Sequence, residues 1–186
     1  MILFILFILL AATFGIIEDK KIVQEMPFAL LFLILEIYVI SILRGFPFLN
    51  QIFLIESFGV AVCFLYFFSQ KKKPDIKLAS ADILFFIFIS IFCVVVNYNR
   101  SVVHGDDFRY YAIFPKTVFF QDMMTDGTNC TFSHYGAYAP ALGLFYAACL
   151  KNLGYFKESL LFTLQMWVGY ICLFPLLFFD IKERGG

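Results

Sequence analysis

"PFALLFLILEIYVISIL", Pro27 to Leu43, decides the architecture: across the whole run only Glu36 carries a charge. A helix in a soluble domain alternates its apolar stripe with a polar face; this stretch has no polar face. A bilayer core about 30 Å thick demands such a run, because a helix needs roughly 20 apolar residues to cross it. Similar runs recur at Met1–Ile17, Ile52–Phe68, Ile83–Tyr98, Ala139–Leu150 and Leu160–Phe179. Six membrane-spanning helices are therefore expected. The chain of 186 residues is 62% hydrophobic and 15% charged, where a soluble domain carries about 25% charged residues. The predicted fold is all-α, a polytopic bundle divided into residues 1–98 with four spans, a polar loop 99–138, and residues 139–186 with two further spans and a short tail.

The connections fit this reading. "EDKKIVQEM" joins the first two runs, and Pro27 is expected in the first turn of the second helix. "RGFPFLNQ", Arg44–Gln51, carries the Gly and Pro of a tight return. In "KKKPDIKLASAD", Pro74 ends the third run, and Ser80 or Asp82 can cap the fourth. No nucleic-acid motif or basic face is present. Cys63, Cys93, Cys149 and Cys172 fall in apolar runs and Cys130 alone in a polar one, so no disulfide framework is proposed.

Orientation follows Lys and Arg. With six spans, Lys20, Lys21, Lys71, Lys72, Lys73, Lys77, Lys151 and Lys157 share one side, and Arg44, Arg100, Arg109, Lys116, Lys182 and Arg184 the other. The dense "KKKPDIK" places the first group in the cytoplasm and Asn99–Tyr138 outside. The Phe, Ile, Lys and Asn bias suggests a bacterial cytoplasmic membrane, where the "NRS" and "NCT" triplets at Asn99 and Asn129 carry little meaning.

That polar segment holds "VVHGDDFRYYAIFPK", Val102–Lys116. Adjacent carboxylates raise each other's pKa in a partly dry site, so one can accept a proton while the other orients a substrate or a metal. A helix starting at Asp106 would carry Arg109, Tyr110, Ile113 and Lys116 on one side, with Pro115 expected to break it near Phe114. The interleaved aromatics suit an amphipathic helix along the membrane surface. Such an acidic pair is also simply a helix cap favoured by the dipole, and Arg109 and Lys116 could serve as headgroup anchors. His104 and His134 with Asp106 and Asp107 could compose a divalent metal site; Asp107 and His104 are its first candidates. Glu36 and Glu56, inside spans, read by default as functional, with Arg44 in reach of Glu56. Trp167 and Pro175 read as packing and a kink.

"GDDFRYYAIFPKTVFF" followed by "HYGAYAPALGLFYAACLKNLGYFKESLLFTLQMW" resembles the front of the GT-C superfamily of polytopic glycosyltransferases. These transfer a sugar from a polyprenyl-phosphate carrier on the outer face of the membrane. The resemblance covers Val102 to Trp167. It departs from the family pattern in its second acid, Asp instead of Glu, and in having one Pro where two are common. It implies that Asp106 is the general base on an acceptor hydroxyl and that Asp107 orients the acceptor or helps hold a divalent cation. It further implies that Arg109 and Lys116 face the carrier phosphate, and that Tyr110, Tyr111, His134, Tyr135 and Tyr138 line the substrate site. The implied partners are a polyprenyl-phosphate-linked sugar and membrane lipid. The alternative from another class is a non-catalytic membrane protein, a small transporter or an assembly partner, whose acidic loop caps a surface helix.

Overall fold

The computed structural model describes residues 2–70, 80–102, 112–123 and 141–177. Among them it is all-helical: α1 Ile2–Glu18, α2 Ile22–Ile42, a 3-10 turn Phe46–Phe48, α3 Leu49–Gln70, α4 Ser80–Asn97, α5 Ile113–Gln121, α6 Ala141–Leu153 and α7 Glu158–Leu177. α2, and α3 with its preceding turn, are long and apolar enough to cross a membrane. The other helices offer shorter apolar stretches among the described residues, so six spans are not established by length.

The surface of α3 favours a bilayer over a soluble core. Only Leu49 and Phe53 are buried along it, while Leu54, Ile55, Phe58, Val62 and Leu65 lie exposed. A soluble monomer rarely exposes an apolar face of this extent; hydrocarbon solvates it without cost.

α1 packs on both α2 and α3. Between α1 and α2 the chain reverses at Asp19, in left-handed conformation with φ 59°, as the Lys20 N–H closes back on the Gly15 carbonyl at 3.0 Å. Lys20 then reaches the Glu25 carboxylate at 3.2 Å; that hydrogen bond and charge hold its ammonium above the ordinary lysine range. α2 begins five residues before the sequence suggests, because the Lys21 N–H is capped by the Gln24 side chain at 3.1 Å. Pro27 therefore sits inside the helix, not in its first turn. The tight return after α2 is formed by Arg44, at φ 59°, with the Gly45 N–H bonded to the Ile40 carbonyl at 2.8 Å.

At one end of the bundle a polar chain fixes three helices. The Leu3 N–H donates to Asn152 Oδ1 at 3.4 Å, and Asn152 Nδ2 donates to Asn50 Oδ1 at 2.9 Å. The starts of α1 and α3 and the end of α6 therefore lie together. α6 ends at Gly154, whose φ of +84° is open to glycine and strained for other residues.

α5 packs on α6. Phe114 lies where a side chain on Gly143 would be, 2.5 Å from the position of its Cβ, and Asp122 pairs with Lys151. Phe114 and Asp122 thus match Gly143 and Lys151 in order, so α5 and α6 run in the same direction. Pro115 stands in the first turn of a helix that starts at Ile113, where a missing N–H costs nothing; the expected helix start at Asp106 lies outside the described residues. The helix that contains Lys116 lies along α6, with Pro115 and Val118 buried.

This packing predicts a sharp effect at Gly143. Gly143→Leu should separate α5 from α6 and cost roughly 1–3 kcal/mol, the usual range for overpacking. It would be read as a lowered melting temperature in detergent; an unchanged one would contradict the contact.

Candidate functional site

The α4–α7 seam is built from polar groups on otherwise apolar helices. Asn97, 1% exposed, donates through Nδ2 to the Cys93 carbonyl at 2.9 Å and to Met166 Sδ on α7 at 3.4 Å. The Thr163 hydroxyl donates to the Ser159 carbonyl at 2.9 Å, with the Cys93 carbonyl of α4 at 3.5 Å. Trp167 Nε1 donates to Ser90 Oγ at 3.2 Å, and the Ser90 hydroxyl donates in turn to the Phe86 carbonyl at 2.8 Å. The Trp167 ring meets Phe7 edge-on with centroids 5.3 Å apart and lies near Phe4 and Phe86.

Beyond this seam the start of the polar segment meets the α6–α7 turn. The Val102 N–H donates to Glu158 Oε2 at 3.1 Å. The Arg100 guanidinium lies 4.1 Å from the centre of the Phe162 ring, and the Lys157 ammonium 4.7 Å from that of Tyr98. This corrects the expected sidedness: Asn99–Val102 and Lys157–Ser159 share one end of the bundle, where six alternating spans would put them on opposite faces.

Of the site residues expected from the sequence, Lys116 alone is described. His104, Asp106, Asp107, Arg109, Tyr110, Tyr111, His134, Tyr135 and Tyr138 lie outside the described residues. Lys116 is brought to this same end, its ammonium 5.9 Å from the Phe156 ring centre. It lines a pocket of about 570 Å³ together with Arg100, Lys157, Glu158 and Ser159. Among the described residues no carboxylate lies within ion-pair distance of Arg100, Lys116 or Lys157. Each cation rests on an aromatic face instead, which orients it without neutralising it. An apolar cleft of about 370 Å³ lies along the seam within a helical turn of the pocket, with Phe4, Val94, Leu160 and Trp167 among its walls. The arrangement can take an anion at its polar mouth and hydrocarbon in its depth.

Arg100, Lys157 and Glu158 were not singled out from the sequence as site residues. Val102 and Glu158 are 56 positions apart, and a cation next to an apolar run reads as an ordinary interfacial anchor. The only available signal is an aromatic residue near each cation, Tyr98 before Arg100 and Phe162 after Lys157.

A second polar feature lies within the apolar body. The Glu36 and Glu56 carboxyls meet across α2 and α3, so Glu56 faces Glu36 and not Arg44, as the sequence had suggested. Both Glu36 oxygens, Glu56 Oε2 and Ser57 Oγ are buried without any other partner. Two carboxylates have no donor between them, so their contact is a hydrogen bond only while one carries a proton. Among the described residues no cluster of three or more His, Cys, Asp or Glu could hold a metal ion; the candidates His104 and Asp107 lie outside them.

Comparisons with protein-family models, with curated proteins and with solved structures gave no match.

The seam makes a quantitative demand. Trp167→Phe and Ser90→Ala should couple in a double-mutant cycle by about 0.5–1.5 kcal/mol, in the range of hydrogen bonds between membrane helices. Unfolding in mixed micelles measures it; additive effects would mean that the two side chains do not interact.

Proposed function

We propose that the chain is a membrane glycosyltransferase, alone or as part of a longer protein, that takes a sugar from a polyprenyl-phosphate donor and passes it to an acceptor hydroxyl. One observation carries the reading. Lys116, the described member of the acidic-pair motif, stands in a pocket with two further cations that have no carboxylate partner among the described residues, near an apolar cleft at a helix-bundle end. A lipid-linked phosphate needs both surroundings: fixed positive charge for the leaving group and hydrocarbon for the carrier. In this reading Asp106 is the general base, Asp107 orients the acceptor or a divalent cation, and Arg109 joins Lys116 at the carrier phosphate. Tyr110, Tyr111, His134, Tyr135 and Tyr138 line the substrate. The pocket end faces out of the cell and the Lys20–Lys21 turn faces the cytoplasm of a bacterium.

A second reading draws on a separate observation. Paired carboxyls inside an apolar bundle suit a small proton-coupled transporter, and Glu36 and Glu56 would be its centre.

Reconstituted protein supplied with polyprenyl-phosphate-linked sugars separates the two. Asp106→Asn should lower kcat by about 10²–10⁴, the usual contribution of general base catalysis, while Lys116→Gln should chiefly raise KM for the lipid donor. Transfer at the wild-type rate by Asp106→Asn would end the base assignment. Transfer by neither protein, with proton flux abolished by Glu36→Gln, would favour the transporter.

A further inference from the structure

We propose that the α4–α7 seam is a binding site for one anionic glycerophospholipid of the surrounding bilayer, its phosphate on Arg100 and Lys157 and one acyl chain in the nearby cleft. This ligand competes with the carrier phosphate for the pocket on which the glycosyltransferase reading draws, and the proposal requires only that the bundle sit in a bilayer.

The geometry is reciprocal. Arg100 follows α4 yet rests on Phe162 of α7, and Lys157 precedes α7 yet rests on Tyr98 beside α4. Each cation is held in place by the opposite helix. A guanidinium lying on a ring keeps the N–H groups of its edge free for the oxygens of a phosphate. Among the described residues the one carboxylate that lines the pocket, Glu158, is engaged by the Val102 N–H. Asn99, Ser101 and Ser159 line the same pocket and supply neutral donors of the kind that a hydroxylated headgroup accepts.

The apolar cleft begins within one helical turn of this mouth on both helices, although no residue lines both. On α7 Ser159 lines the pocket and the next residue, Leu160, lines the cleft; on α4 Tyr98 lines the pocket and Val94, one turn away, the cleft. A free phosphate would leave the cleft empty, and a neutral lipid would leave two cations without a counter-charge. A molecule with both parts satisfies both. The bilayer itself presents anionic headgroups to cations at this depth, at about 1 kcal/mol per Lys or Arg, and it does so at far higher local concentration than any carrier lipid.

The test is lipid retention by the purified full chain, measured by native mass spectrometry after incubation with phosphatidylglycerol or phosphatidylcholine and without any sugar donor. Phosphatidylglycerol should be retained in preference. Arg100→Gln and Lys157→Gln should each weaken that preference about fivefold, the equivalent of ~1 kcal/mol, and Lys157→Arg should restore it. Val94→Trp, which fills the cleft, should reduce retention of the intact lipid. If one glutamine variant does not fold, the other carries the test, with Lys157→Arg as its folded control.

Several results would overturn the site. These are equal retention of the two lipids, indifference to both glutamine variants, or displacement of phosphatidylglycerol by millimolar inorganic phosphate. Preferential retention of a polyprenyl phosphate would overturn the choice of ligand by giving the seam to the carrier. Because no transfer is measured, an inactive or a fully active Asp106→Asn leaves the outcome untouched, whereas preferential retention of the polyprenyl phosphate would end this proposal and support the glycosyltransferase reading.

Discussion

The hydrogen bonds that join α4 to α7 are the constraint on which the rest depends. In hydrocarbon, lipid tails are as apolar as Leu side chains, so apolar surface alone gives helices little reason to associate. Asn97, Thr163 and the Trp167–Ser90 pair supply the directional contacts that this seam requires. Each replaces a polar group that would otherwise stand unsatisfied in lipid. Their placement fixes the rotation of the two helices, and that rotation delivers Arg100 to Phe162 and Lys157 to Tyr98. The cationic pocket is thus a consequence of packing deeper in the bundle.

The Asn50–Asn152–Leu3 chain has the same role at the centre of the bundle end. It ties the starts of α1 and α3 to the end of α6, and Lys151, in the last turn of α6, then meets Asp122 beyond α5. Lys116 reaches the pocket because α5 is clamped at both ends, by Phe114 against Gly143 and by Asp122 against Lys151. The Glu36–Glu56 contact lies about two turns inside the same end, by the rise of 5.4 Å per turn. Two polar systems, one at the interface and one inside the apolar body, are therefore gathered in the same half of the molecule.

Much of the helical content was legible from the sequence. Runs without a polar face, such as Pro27–Leu43 and Ile52–Phe68, leave a helix as the only backbone that satisfies its own hydrogen bonds in lipid. The Arg44–Gln51 return was legible from its Gly and Pro. The start of α2 was not, because the capping pair Lys21 and Gln24 is polar and reads as connection. The start of α5 at Ile113 was not legible either, because Pro can end a helix or open one. Sidedness failed for a related reason. Alternation assumes that every apolar run crosses, whereas the contacts of Arg100 with Phe162 and of Val102 with Glu158 join two segments that alternation would separate. Of the candidate site, Lys116 could be found by its place in a motif. Arg100 and Lys157 could not, since their meaning comes from rings on opposite helices.

The central claim is that the start of the polar segment and the α6–α7 turn share one face of the membrane. Single cysteines at Ser101 and Tyr155, introduced into a cysteine-free background and probed in sealed vesicles with an impermeant maleimide, test it most directly. The account predicts that both positions are labelled from the same side and protected from the other. Labelling from opposite sides would show that α6 completes a crossing between them, and the seam, its pocket and the lipid site would have no common face on which to form.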